Sequence, residues 1–359
     1  MRVAVLAPMK PPDHPVPSGD RTFVRLILAA LARGGHEAAL VSRLVTWRRT
    51  PEGLDALLAE AEREAARLAA LWRTEGAPDA ILTYHNYHKA PDLLGPRLAA
   101  AFDLPYAIIE ASRAPRHADG PWARHFALAD AALDRADRVA AVTAYDMPGL
   151  AAHLPQRLVH LPPFIDTAPF AGPREEGGAP LVSAAMMREG RKAESLAVLA
   201  DAFALVRQAV PATRLVVAGD GPARSRLEPL FPPGVFRGAL EQAALGRLLR
   251  SAEIFMWPAI DEPFGFLFLE AQAAGLAVVG GATRGTVDVV VDGETGILVP
   301  PHDAGAIADA TLALLADTPR RRAMGEAAAR FAARHDLAAG AARVTALLNA
   351  AAAHRGCRR

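Results

Sequence analysis

The sequence predicts an α/β protein made of two doubly wound, Rossmann-like domains facing a central cleft. Three observations carry that expectation. Short and almost wholly apolar runs, such as Val3-Ala4-Val5-Leu6 and Ile254-Phe255-Met256-Trp257, read as strands covered on both faces, as in parallel sheets. They alternate with longer amphipathic segments, which is the βαβ rhythm of a parallel sheet. The alternation stops once, over the proline- and glycine-rich stretch 161–180, and then restarts. The expected organisation is an N-terminal domain over 1–165, a linker over 166–180, a C-terminal domain over 181–335, and a helix with a tail over 336–359, free to pack back on the N-terminal domain.

In the first half, the strand at 2–7 runs into a loop rich in Pro, Ser and Gly, and a helix over 22–33 follows, closed by Gly34-Gly35. A second strand is expected over 36–42. Thr50-Pro51-Glu52 has the pattern of a helix start, with threonine as N-cap and proline at the first position. Leu54, Leu57, Leu58, Ala61, Ala65, Leu68 and Trp72 then recur at helical spacing up to Gly76. Further strands fit 79–83, 106–109 and 139–142, with a helix over 122–135 between the last two. In the second half, strands fit 181–184, 214–218, 235–236, 253–258, 277–279 and 296–299. Helices fit 195–209, 240–250, 267–274, 304–316 and 319–335, with a last one ending near Ala353.

The chain has 359 residues, 52% of them hydrophobic and 22% charged, enough to bury the cores of two ordinary domains. Forty basic against 39 acidic side chains leave a net charge of +1, without the basic excess expected of a nucleic-acid binder. No apolar run is long enough to cross a bilayer, and Met1 to Leu6 lead into charged and proline-rich sequence unlike a signal peptide. The single cysteine, Cys357, allows no internal disulfide framework. A cytoplasmic enzyme is the expectation.

The most informative stretch is Asp261-Glu-Pro-Phe-Gly-Phe-Leu-Phe-Leu-Glu270. A strand stopped by Pro258, a loop with Gly265 and a helix N-terminus together make a cradle for anions, because unpaired N–H groups point outward there. Glu262 and Glu270 bracket the cradle. Carboxylates repel phosphate, so they suit hydroxyls, and the combination points to a ligand that carries both phosphate and sugar.

These residues resemble the E-x7-E signature of the retaining glycosyltransferases of the GT-B fold, glycosyltransferase family 4. The sequel Glu270-Ala-Gln-Ala-Ala-Gly275 and Val291-Asp-Gly-Glu-Thr-Gly-Ile-Leu-Val-Pro300 is similar to that family's, as are Gly219-Asp-Gly-Pro222 and Phe236-Arg-Gly238. The resemblance implies a metal-independent enzyme, needing no cofactor, that moves a sugar from a nucleoside-diphosphate donor to a glycan, lipid-linked or small-molecule acceptor. It implies that Glu262 holds donor-sugar hydroxyls, that backbone around Phe264, Gly265, Phe266 and Leu267 contacts sugar and diphosphate, and that Glu270 takes the ribose hydroxyls. Gly219, Gly221 and Arg237 would lie on donor-binding loops. Lys192 occupies the place of the family's lysine. The family's arginine falls near Met186, and Arg188 is the expected substitute, with Arg191 as competitor. Cations of this kind stabilise a leaving diphosphate.

In the N-terminal domain the resemblance places Gly19, within Ser18-Gly19-Asp20, near the diphosphate. It places Glu110 where many members carry a histidine. His85, Ser112 and Arg113 are the acceptor candidates. His85 and His88 lack the further ligands of a metal site, so none is expected. Arg43, Arg48, Arg49, Arg113, Arg116 and His117 suit an anionic acceptor or contact with the inner membrane face, with scattered surface charge as the plain alternative. The donor base stays open among UDP, GDP and ADP, and so does the oligomeric state. Two other readings stay open as well, a sugar-nucleotide epimerase on the same fold and a non-catalytic nucleotide-sugar-binding protein.

Overall fold

A computed structural model describes residues 1–357. The chain divides into two compact units, one of Met1–Pro163 with the final helix, the other of Phe164–Asp336. In chain order the first unit comprises β1 (Arg2–Leu6), α1 (Gly19–Arg33), β2 (Glu37–Leu40), α2 (Leu54–Glu75), β3 (Ala80–Asn86), α3 (Gly95–Ala101), β4 (Tyr106–Ala111), α4 (Ala123–Arg135), β5 (Arg138–Ala141), α5 (Met147–Ala151) and β6 (Leu158–His160). The second comprises β7 (Leu181–Ala184), α6 (Arg191–Ala209), β8 (Leu215–Ala218), α7 (Arg224–Leu227), α8 (Gln242–Ser251), β9 (Ile254–Trp257), α9 (Phe266–Ala273), β10 (Ala277–Gly281), β11 (Gly296–Val299), α10 (Ala304–Ala316) and α11 (Thr318–Ala333). Helix α12 (Leu337–Gly356) completes the first unit.

Both sheets are parallel throughout, in the orders β2-β1-β3-β4-β5-β6 and β11-β10-β9-β7-β8. Each winds the same way: the second strand lies on one side of the first and all later strands on the other. Each sheet therefore has a reversal of winding, between β1 and β3 and between β7 and β9. A doubly wound sheet opens a crevice at that place, beyond the carboxyl ends of its strands.

Strands β1, β4, β7, β9 and β10 are buried on both faces because helices cover both, which explains their apolar runs, while β2, β6 and β11 are partly exposed. In the first unit, Leu54, Leu57, Ala61, Leu68 and Trp72 of α2 share a core with Leu98, Tyr106 and Ile108. Burying an aliphatic or aromatic side chain of this kind contributes about 1.5–3 kcal/mol. Helix α12 lies along α1 and against β4 and β5, fastened by Thr345 Oγ1 at 3.0 Å from His36 Nε2 and by an Arg355–Asp103 ion pair.

Several boundaries differ from those read in the sequence. Helix α2 starts at Leu54, not at Pro51, because Gly53 sits at φ 78° and a left-handed residue cannot continue a right-handed helix from Pro51. The pair expected as a strand at Val235-Phe236 contributes only an isolated bridge to Val217. Helix α6 begins one turn earlier than expected, at Arg191, and so includes Lys192. Strand β6 went unread: it is short and partly exposed, without an apolar run. Residues 166–180, expected as a linker, are folded onto the second unit, with Phe170 buried, Glu175 paired with Arg250 at 2.9 Å and Gly178 O accepting from Arg214 at 2.8 Å.

Candidate active site

The reversal in the second unit gathers two loops, one after β7 and one after β9. Lys192 is the second residue of α6, a position where a cation opposes the helix dipole at a cost of about 0.3–1 kcal/mol. Its surroundings offset that cost. Its Nζ forms a close ion pair with Oε2 of Glu262 and lies 5.3 Å from the centre of the Trp257 indole. Trp257, the fully buried last residue of β9, places its Nε1 at 3.3 Å from the same carboxylate oxygen.

The loop that carries Glu262 is held in an uncommon shape. Ala259 and Asp261 both have φ of 55°, a conformation that costs a residue with a Cβ about 1 kcal/mol or more. Three hydrogen bonds fasten it: Ile260 N to Ser195 Oγ at 3.0 Å, Thr283 Oγ1 to Ala259 O at 2.9 Å, and Gly285 N to Glu262 O at 3.0 Å. The loop ends at Gly265, φ 69°, where a Cβ would come within 2.5 Å of Val289 Cγ2 and 2.9 Å of Gly285 O. No side chain caps the start of α9, and buried Phe264 stacks on Phe266 with ring centres 5.1 Å apart. Leu267, the second residue of α9, is half-buried.

Glu270 lies on the same helix, half-buried. Burial pushes its carboxyl up to about 8, and no cation or donor among the described residues offsets that. The carboxylate thus lacks the partners it would need in order to ionise at neutral pH.

Not all the donor residues expected in this unit gather at the ion pair. Arg188 is half-buried in the loop after β7, held there through its backbone N–H, which donates to Met186 O at 2.8 Å. Arg191 instead turns its guanidinium to Glu194 at 2.8 Å on the surface. Gly219 and Gly221 have a structural duty: a Cβ on them would meet Ala185 O at 1.8 Å and Met187 O at 2.5 Å. They let the loop after β8 pass against the loop after β7. Gly219 N donates to Gly238 O at 2.7 Å, but the exposed Arg237 side chain lines another cavity, of about 400 Å³, beside the start of β8.

In the first unit, the reversal between β1 and β3 brings the start of α1 to the ends of β3 and β4. Gly19 and Asp20 open α1, behind Ser18, whose Oγ accepts from Arg21 N at 3.1 Å. Tyr84 is fully buried, and burial with the charges of Asp20 and Glu110 holds its hydroxyl well above the usual phenol range. His85 and Glu110 both adopt positive φ, 78° and 63°, at the ends of their strands. Burial pushes the His85 imidazole down, against Asp20 and Asp146. Ser112 is half-buried, and its N–H donates to Asn86 O at 3.1 Å. Arg113, offered as an acceptor group, is committed to Asp130 at 2.8 Å and lies over the Phe126 ring. Arg43 is likewise paired with Asp13 at 2.6 Å.

Two positioning residues went unread in the sequence. Trp257 has the signature of an ordinary core strand. Asp92, buried, accepts from Thr83 Oγ1 at 2.5 Å, Tyr106 Oη at 2.6 Å, Leu94 N at 2.9 Å and Gly95 N at 2.8 Å, and thereby fixes the turn after β3. Among the described residues no helix is long and apolar enough to cross a membrane, and no three His, Cys, Asp or Glu side chains are grouped so as to hold a metal.

Two parallel, doubly wound units with polar groups at both reversals define the GT-B class of fold. Comparison with known proteins agrees. Residues 181–317 match the glycosyl transferases group 1 family, so the second unit carries a domain of that family. Over 239 residues, 62% of this chain and 59% of the relative, the sequence is 31% identical to a GDP-mannose-dependent alpha-mannosyltransferase of Mycolicibacterium smegmatis. It is 34% identical over 239 residues, 59% of this chain and 56% of the relative, to D-inositol 3-phosphate glycosyltransferase 2 of Catenulispora acidiphila. The matched stretches span between 22% and 59% of the length of the first curated relatives. The structure is similar to that of sucrose-phosphate synthase from Thermosynechococcus elongatus, with a TM-score of 0.74 and 21% identity, covering 97% of this chain and 98% of that one.

Proposed function

We propose that the protein is a retaining glycosyltransferase of family 4, which moves a sugar from a nucleoside-diphosphate sugar to an acceptor hydroxyl. The observation that carries the reading is the convergence of Lys192, Glu262 and Trp257 beside the start of α9, at the reversal between β7 and β9. The relatives named above, a mannosyltransferase and an inositol-phosphate glycosyltransferase, support it.

Within the protein the two charges satisfy one another. A diphosphate, with two negative charges or more, competes for the Lys192 ammonium and releases Glu262 to accept from sugar hydroxyls. The N–H groups that open α9 add to the attraction for the anion. Glu270, lacking protein donors, suits the paired hydroxyls of a ribose, which would supply them. In the reaction the bond from the sugar's anomeric carbon to the diphosphate breaks and the acceptor oxygen bonds to that carbon on the same face. The acceptor proton leaves on the departing diphosphate, so no separate base is needed. Lys192 and Arg188 lower the barrier by neutralising charge that grows on the leaving group. The residues of the first unit, Gly19, His85, Glu110 and Ser112, serve the diphosphate and the acceptor, and neither metal nor cofactor is required. Contact with the inner membrane face belongs to this reading only if the acceptor is lipid-linked.

Incubation with UDP-, GDP- and ADP-sugars, followed for slow donor hydrolysis and for transfer to an acceptor panel, tests the proposal. Release of free nucleoside diphosphate from one donor class, abolished in Lys192→Ala, is the expected result. Epimerised donor without hydrolysis or transfer would replace it by the isomerase reading. Binding with no turnover would replace it by the non-catalytic one.

A further inference from the structure

Beyond β3 in the first unit lies a cluster of rings that the proposed donor chemistry does not use. His88 stacks on His117 with ring centres 3.8 Å apart and an interplanar angle of 22°, and meets the edge of Trp122 at 5.4 Å. Trp122 in turn meets His125 at 5.0 Å, and His125 is only 1% exposed. Nε2 of His88 and Nε2 of His125 are buried without a hydrogen-bond partner. Leaving such an atom unpaired costs about 1–3 kcal/mol, so two in one cluster call for an explanation.

Cations reach this cluster from three loops. Lys89 holds its Nζ 5.5 Å from the Trp122 ring. Arg116 precedes the stacked His117. Arg48 is tied to the same turn through its backbone N–H, which donates to Lys89 O at 2.8 Å, while its guanidinium donates to Val45 O at 3.0 Å and Trp47 O at 2.9 Å. Trp47 Nε1 donates to Tyr87 Oη at 3.2 Å. Burial, followed by His117, Lys89 and Arg116, pushes His88 down to about 4. Burial with Arg116 and Lys89 lowers His117, and burial with Arg124 and Arg48 lowers His125. The charges that act most strongly on these three rings are cationic. The acids of this region act instead on their neighbours: Asp20 and Asp146 on His85, and Asp20 and Glu110 on Tyr84.

We propose that His88, His117 and His125, with Lys89, Arg116 and Arg48, form a pocket for a phosphate or carboxylate carried by the acceptor. This rests on the glycosyltransferase reading for the word acceptor, but the anion site does not depend on it. The acceptor class follows from the charge layout. A hydroxylated molecule puts its anionic group among the cations and its hydroxyls towards the acidic side of the same unit, at Glu110 and Asp20. Neutral imidazoles with an unpaired ring nitrogen can turn an N–H to an anion, or take up a proton once the anion is beside them.

The test follows histidine ring signals of the full chain by NMR during titration with glucose 6-phosphate, glucuronate and glucose. Because those signals report on the cluster itself, anion binding at the diphosphate site of the second unit does not register. The expected result is saturable movement of the His88 and His117 signals by one or both anionic sugars, at least about tenfold tighter than by glucose, as charge-assisted hydrogen bonds are worth. Which of the two binds identifies the anion as phosphate or carboxylate. Charge reversal in Lys89→Glu/Arg116→Glu should abolish the preference, and His88→Gln should weaken it at unchanged melting temperature. Equal response to glucose, no response from the wild type, or a preference that survives charge reversal would overturn the proposal. Binding of nucleoside diphosphates, measured on the same samples, reports separately on the glycosyltransferase reading, since none of the substituted residues belongs to the second unit.

Discussion

The two units share one winding and put polar groups at the same place in it, yet they fill that place differently. At the end of β9 the second unit sets opposite charges against each other, Lys192 against Glu262, with the Trp257 indole beneath the ammonium. At the ends of β3 and β4 the first unit sets like with like. Asp20 and Glu110 surround Tyr84, and Arg48, Lys89 and Arg116 surround three histidines. A matched pair of charges is one that a competing anion can open. Segregated charge instead suits a ligand whose own groups are segregated. The fold supplies two equivalent crevices, and the chemistry of each comes from the loops that close it.

The largest test of this contrast is Lys192→Ala. Removing a cation that acts on the leaving group should cut turnover about 100- to 1000-fold or more, and should leave Glu262 half-buried without its partner. A turnover within a factor of a few of the wild type would make the ion pair a structural feature only. Gly219→Ala comes next. Its φ of 127° and the 1.8 Å approach to Ala185 O should destabilise the second unit by about 2–4 kcal/mol, read by denaturant unfolding, independently of any ligand. Asp92→Ala is the counterpart in the first unit. Losing four hydrogen bonds to a buried carboxylate should cost about 3 kcal/mol or more and loosen the turn that carries His88. Arg113→Ala is the smallest. Its pair with Asp130 is only partly exposed, so about 1 kcal/mol of stability should be lost while acceptor KM stays within twofold. A rise in KM of tenfold or more would return Arg113 to the acceptor site.

Much of this was legible in the chain. Alternating apolar and amphipathic segments fix both Rossmann-like units, and Glu262, Gly265 and Glu270 are readable because a glycine turn and a helix start leave a local signature. What was not legible depends on contacts distant in sequence. Trp257 reads as strand core, and only the fold shows its indole under Lys192, 65 positions earlier. The Gly219 loop reads as a ligand loop, whereas its glycines are also demanded by a neighbouring backbone. Arg113 and Arg116 look alike in sequence, but only Arg113 meets a carboxylate on α4, one that lies 17 residues away. Helix α6 starts a turn before Ser195, a start that is hard to read because Lys192 is a poor residue for a helix N-terminus.

Glu270 offers the most direct test of the central claim, that the second unit grips a nucleoside diphosphate. Its carboxyl is held near 8 in the folded chain against a usual 4.5, so the folded state binds the extra proton between those values. Stability from this group is therefore greatest below about pH 4.5 and is lost as pH rises towards 8, a slope that Glu270→Gln should remove. Hydroxyls donated by a bound ribose favour the ionised form, so at pH 7 binding should expel that proton. Calorimetric titration with UDP, GDP and ADP, in buffers of differing ionisation enthalpy, counts it. The expected result is that one of the three binds with release of up to a proton by the wild type and none by Glu270→Gln. No binding of any, or the same proton count in both proteins, would contradict it.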